Sequence, residues 1–138
     1  LDPTRFIDHA SGWQDQGYEE MKSRHIYFRP VKLKNDGRAL ALTEYGGYIL
    51  AVDGHRWTDK VFGYRICRNS AALAHDYEKL MLGQVLPHIR KEGLTAAVYT
   101  QITDVEEELN GLMTYDREVL KIPEETLREI NAALRFDA

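Results

Sequence analysis

Apolar positions fall in short blocks separated by turn-forming residues, with two longer stretches in which they recur at helical spacing. RFIDHA, residues 5–10, is a brief apolar-biased run that stops at Ser11-Gly12, which suits a short strand. A polar helix is expected over residues 14–22. His25-Ile26-Tyr27-Phe28 is aromatic and β-branched and halts at Pro30, as a strand opening into a loop does. The loop covers residues 30–38. Residues 39–43 then form an uninterrupted apolar run that meets Glu44 and two glycines, the pattern of a strand buried on both faces.

Beyond Tyr45 the period changes. Residues 48–52 and 55–57 flank Asp53-Gly54, a pair suited to the positive φ angles of a two-residue turn, and predict a small hairpin insertion. Asn69-Ser70 can cap a helix, and Leu73, Tyr77, Leu80, Met81, Val85, Leu86 and Ile89 follow at helical spacing until Gly93 stops them. TAAVY, residues 95–99, is another short buried strand. Residues 109–112 look like a second tight turn. Pro123-Glu124-Glu125 opens a last helix, with proline in its first turn and carboxylates near its positive end, running to about Arg135. Strands alternating with helices or excursions in this order are parallel β/α units. They are too few to close an eight-stranded barrel, and half of one fits the count.

Composition narrows the function classes. The 138 residues are 43% hydrophobic, enough for one core with no sign of a second. The formal net charge is −4 and the basic residues are dispersed, which argues against nucleic acid as a partner. Cys67 stands alone, so neither an internal disulfide nor a zinc site of paired cysteines is expected. No run approaches the ~20 apolar residues of a membrane span, so a domain without a membrane partner is expected. The opening Leu1-Asp2-Pro3 reads as mid-chain, so a longer parent protein is expected, and the lone thiol leaves its compartment open, secreted or periplasmic included. The five histidines show no metal-ligand spacing and no phosphate loop is present, so neither a metal nor a cofactor is proposed.

Glu44 sits where a buried strand meets Tyr45-Gly46-Gly47, the carboxyl end at which α/β folds place reactive groups. A glutamate there is either functional or ion-paired, and spacing alone leans to the ion pair. The neighbouring glycines shift the balance by leaving open backbone, with room for a sugar ring, in front of its oxygens. His25 and Tyr27 alternate along one strand and so point to the same face. Each is either a site residue or a core aromatic with its polar atom satisfied. Asp104 and the run Glu106-Glu107-Glu108 read as a solvated loop face. Trp13 and Trp57, as singletons, read as packing residues.

LTEYGGY, residues 42–48, resembles the end of the seventh barrel strand of family 2 glycoside hydrolases. AAVYTQITDVEEELNGLMTYDRE is similar to the eighth strand and following loop in a bacterial branch of that family, DPTRFIDHASGW to its fifth-strand region and HIYF to its sixth strand. The resemblance implies the carboxyl-terminal half of a (β/α)8 barrel, strands five to eight, with the β-hairpin insertion after the seventh. It implies Glu44 as nucleophile of a retaining β-glycosidase and Tyr27 as the hydroxyl that orients it. His25, His9, Gln101 and Asp104 become candidates for carbohydrate contact. Where family members carry a tryptophan platform after the eighth strand, this chain has Thr100-Gln101. The family's acid/base glutamate lies before the fifth strand, so residues 1–138 hold only one of the two carboxyl groups, about 5 to 5.5 Å apart, that retention requires. The implied partners are a carbohydrate substrate and the upstream half of the same barrel, with self-association of the fragment through exposed sheet edges. Two other readings stand beside it: a barrel fragment that binds carbohydrate without cleaving it, and an unrelated small β/α domain.

Overall fold

In a computed structural model of the chain, residues 2–8, 12–18 and 20–136 are described. They build a mixed α/β structure on a three-stranded parallel sheet, β1 (Met21–Ile26), β2 (Ala39–Gly46) and β5 (Leu94–Thr100), in the order β1-β2-β5. A two-stranded parallel pair, β3 (Tyr48–Ile49) with β4 (Arg65–Ile66), lies beyond the end of β2. One layer of helix covers one face: α1 (Ser70–Leu80), a π turn (Met81–Val85) and α2 (Leu86–Glu92) form one continuous rod, and α3 (Glu124–Ala133) packs beside it.

The rod begins and ends on the expected residues. The Asn69 side chain accepts the Ala72 N–H at 2.8 Å, and Gly93 closes the helix at φ 65°, a left-handed cap that costs glycine nothing. The π turn precedes Pro87, which has no N–H for the carbonyl of Gly83 and whose ring crowds that carbonyl, so the spiral widens there. Leu73, Tyr77, Leu80, Met81 and Val85 are buried against Leu40 and Leu42 of β2, Leu94 of β5, and Ile122 and Ile130. This is the core, and it lies wholly on the helical side of the sheet. Among the described residues no helix is long and apolar enough to cross a membrane.

Several expected elements differ. Residues 5–8 are extended but pair in no ladder, and residues 9 and 10 lie outside the described set. The helix expected from residue 14 does not form. Asp15 turns its carboxylate onto the Gly17 N–H, Gly17 sits at φ 84°, and Asp15 is held at 2.7–2.8 Å by Arg38, so the segment is a polar loop pinned to the far side of the sheet. Its last residues, Met21 and Lys22, already belong to β1, which ends at Ile26 rather than at Phe28 because Phe28 turns to φ 60°. The Asp53-Gly54 turn is present, closed by His55 N–H to the Val52 carbonyl at 3.2 Å, but no hairpin flanks it. The segment instead spreads over the 102–120 loop, with Trp57 against Tyr115, and β3 finds its partner in β4. In that loop the tight turn falls at Glu106-Glu107, with paired hydrogen bonds between Val105 and Glu108, while Leu109 and Asn110 are buried.

Candidate active site

Strict alternation along β2 places Glu44 on the same side as Leu40 and Leu42, inside the core. The register shows why it is elsewhere. Arg24 pairs with Leu42 but His25 pairs with Glu44, and Leu42 and Tyr45 of β2 face Ala97 and Tyr99 of β5, so β2 carries one extra residue at Thr43-Glu44 against both neighbours. This β-bulge shifts the phase: Leu40, Leu42 and Tyr45 face the helices, and Glu44 is turned away from them. Its side chain is 45% exposed at the carboxyl end of a parallel strand.

Tyr27 and His25 converge on it. The Tyr27 hydroxyl donates to Glu44 Oε2 at 3.1 Å and lies 3.0 Å from Thr100 Oγ1 at the end of β5. Tyr27 has one proton, and an ionised carboxylate has none to give. The chain of hydrogen bonds therefore runs from the Thr100 hydroxyl to Tyr27 oxygen and from Tyr27 to Glu44. Burial pushes the Tyr27 phenol well above its ordinary range, and the nearby Glu44 charge adds to the shift, so Tyr27 stays a donor. His25 is 94% buried by its residual exposure of 6%, with Nδ1 3.2 Å from Glu44 Oε2. The contact is close enough for an ion pair, but it lies off the line of the ring N–H. Nδ1 is thus buried without a hydrogen-bond partner, its nearest acceptor being Glu44. Tyr64 stacks on the outer face of Tyr27, with centroids 4.2 Å apart and planes at 23°, holding the phenol in place.

The double glycine does something other than open space before Glu44. A Cβ at Gly46 would lie 2.2 Å from the Tyr99 ring and one at Gly47 2.3 Å from Tyr64, so both positions are filled by aromatic rings. Gly47 lets Tyr64 reach Tyr27, and Gly46 makes room for the Tyr99 ring.

The other candidates are placed less centrally. Gln101 is tied down by Asn110 Oδ1 at 2.7 Å and Glu108 Oε2 at 3.2 Å. Asp104 is not on a solvated face: it is buried, accepts from Lys121 Nζ at 2.6 Å and takes the Gly111 N–H at 2.8 Å, so it holds the loop together from within. Glu106 and Glu107 are exposed as expected. His9 lies outside the described residues. A cavity of about 530 Å³ lined by Phe28, Arg29, Tyr48, Tyr64, Lys79 and Gln84 touches Tyr27 but not Glu44, and is separate from this site.

For a metal, the described residues bring together one group, His55, Asp116 and Glu118, with ligand atoms within 4.8 Å of one another. The His55 ring nitrogen and Asp116 carboxylate already satisfy each other at 2.7 Å, which accounts for the group without an ion. Thr100 and Tyr64 escape a reading by sequence. The only signal for Thr100 was a hydroxyl ending the apolar run of β5, and Tyr64 has none. No protein-family model matches the chain, and no curated protein matches it.

Proposed function

We propose that this chain is the carboxyl-terminal half of the (β/α)8 catalytic barrel of a retaining β-glycosidase, similar to family 2 glycoside hydrolases. In this reading β1, β2 and β5 are its sixth, seventh and eighth strands. The observation that carries it is the Glu44 carboxylate, aimed out of the core by a bulge and held by Tyr27 and, through it, Thr100, with open solvent on its other side. A carboxylate fixed by donors on one side and free on the other is positioned to attack an anomeric carbon. The hydrogen bond from Tyr27 disperses its charge in the resting state and releases as the glycosyl ester forms. His25, touching the same carboxylate oxygen, braces Glu44 from its buried side. The acid/base carboxyl group is supplied by the upstream half of the barrel, so residues 1–138 alone do not turn over. A carbohydrate-binding module without catalysis has no use for a carboxylate poised in this way.

The test is Glu44→Ala in the full-length enzyme. Loss of the nucleophile is expected to cost at least about 10⁴-fold in kcat on 4-nitrophenyl β-glycosides, and added azide to enter the vacated space and yield the α-glycosyl azide, identified by NMR. Near-normal turnover of Glu44→Ala would show a shared fold without this chemistry.

A further inference from the structure

We propose that Trp13 is the platform on which the sugar held beside Glu44 stacks; the inference rests on the glycosidase reading and specifies its substrate as a pyranoside bound by its C–H face. Four observations lead there. Trp13 is 65% exposed, a large apolar surface left open to water. It is not loose on the surface, since its ring meets the His25 imidazole edge-on, with centroids 5.2 Å apart and planes at 70°. The segment carrying it is anchored to β1: the Gly12 carbonyl accepts the His25 N–H at 3.0 Å, and Gly12 at φ 89° lies so close that a Cβ there would fall 2.0 Å from His25 Cδ2. His25 in turn is nine-tenths buried, with its Nδ1 unpartnered and 3.2 Å from Glu44 Oε2.

Trp13 and Glu44 are thus linked through His25, which touches both: an exposed apolar ring stands at one end and a half-exposed carboxylate at the other, with the buried imidazole between them. A pyranose matches the two ends. Its axial C–H groups make an apolar face for the indole, and its anomeric carbon is the group the carboxylate attacks. The end of β5 offers no ring, since Thr100 there is committed to Tyr27 and Gln101 to Asn110, and the other tryptophan, Trp57, packs on Tyr115.

The test separates the platform from the nucleophile. In the full-length Glu44→Gln enzyme, binding of 4-nitrophenyl β-D-glucoside and β-D-galactoside is measured by titration calorimetry, with Trp13 intact and as Trp13→Phe, Trp13→Leu and Trp13→Ala. Expected is a loss of about tenfold or more in affinity for Leu and Ala and retention within about threefold for Phe, because stacking needs a flat ring and not merely apolar bulk. With Glu44 present, the same Trp13 variants are expected to raise KM with little change in kcat. If Trp13→Leu binds as tightly as Trp13→Phe, or Trp13→Ala as tightly as wild type, Trp13 is a packing residue and the proposal fails. Should Trp13→Ala fail to fold, the comparison of Phe with Leu decides. Should Glu44→Gln turn over at the wild-type rate, the nucleophile assignment falls, and the Trp13 series in KM still decides the platform.

Discussion

At the residue scale the site turns on one hydrogen bond. Tyr27 gives Glu44 a neutral donor that burial keeps protonated far into the alkaline range, so the phenol orients the carboxylate without adding charge. A hydrogen bond to a charged group contributes about 1.5–3 kcal/mol, so on the proposed glycosidase reading Tyr27→Phe in the full-length protein should lower kcat by about 10- to 100-fold. It should leave the fold intact, because the ring that stacks on Tyr64 remains. The rate of formation of the glycosyl-enzyme, followed with an activated 2-fluoro glycoside, checks this. A Tyr27→Phe variant with a wild-type rate would mean that the hydroxyl does not orient the nucleophile. Whether these residues could be recognised from the chain differs from one to the next. Glu44 is visible because it ends an apolar run, and His25 and Tyr27 because they alternate within one. Asp104 is not, since its surroundings in the chain are acidic and only the fold brings Lys121 against it.

At the scale of elements, the 102–120 loop depends on that buried ion pair. Lys121 and Asp104 are both almost completely enclosed, and burial pulls the lysine below its usual range and pushes the carboxyl above its own, each against the attraction of the partner. Taking two charges out of water offsets much of their mutual attraction, so breaking the pair costs more than the pair itself contributes. Removing one partner strands the other. Lys121→Met should therefore cost about 3–5 kcal/mol in denaturant unfolding. Adding Asp104→Asn, whose amide oxygen still accepts the Gly111 N–H, should recover a good part of that loss. A double variant no more stable than Lys121→Met would show that a stranded Asp104 carboxylate is not the source of the loss. The β2 bulge is the other element-scale device. A one-residue change in phase decides whether Glu44 sits in the core or at the site.

For the whole molecule, the sheet has all its helices on one face and, among the described residues, no strand beyond β1 or β5. The outer edge of β1 is met by the Gly12 carbonyl at His25, and a parallel sheet is ordinarily covered on both faces. The open edges are expected to drive the isolated 138-residue chain to self-associate, with mass by light scattering rising with concentration. A monodisperse monomer across that range would argue that the sheet is complete as it stands.

Much of this architecture is local, and for that reason the chain alone determined it. The span of β2 and of β5 follows from uninterrupted apolar runs, and the rod from Asn69 to Gly93 follows from a cap, a period and a stop that each act within a few residues. Where an element's identity depended on a distant partner, the pattern misled or was silent. Residues 14–22 have a helix-compatible composition, but Arg38 captures Asp15; the Asp53-Gly54 turn forms, but its flanks pair elsewhere. The bulge at Thr43, the path from Thr100 through Tyr27 to Glu44, and the seat of Trp13 on His25 were decided by tertiary structure alone. A strand's register and the neighbours of its side chains are set by the strands packed beside it, and apolar periodicity along one strand carries no record of them.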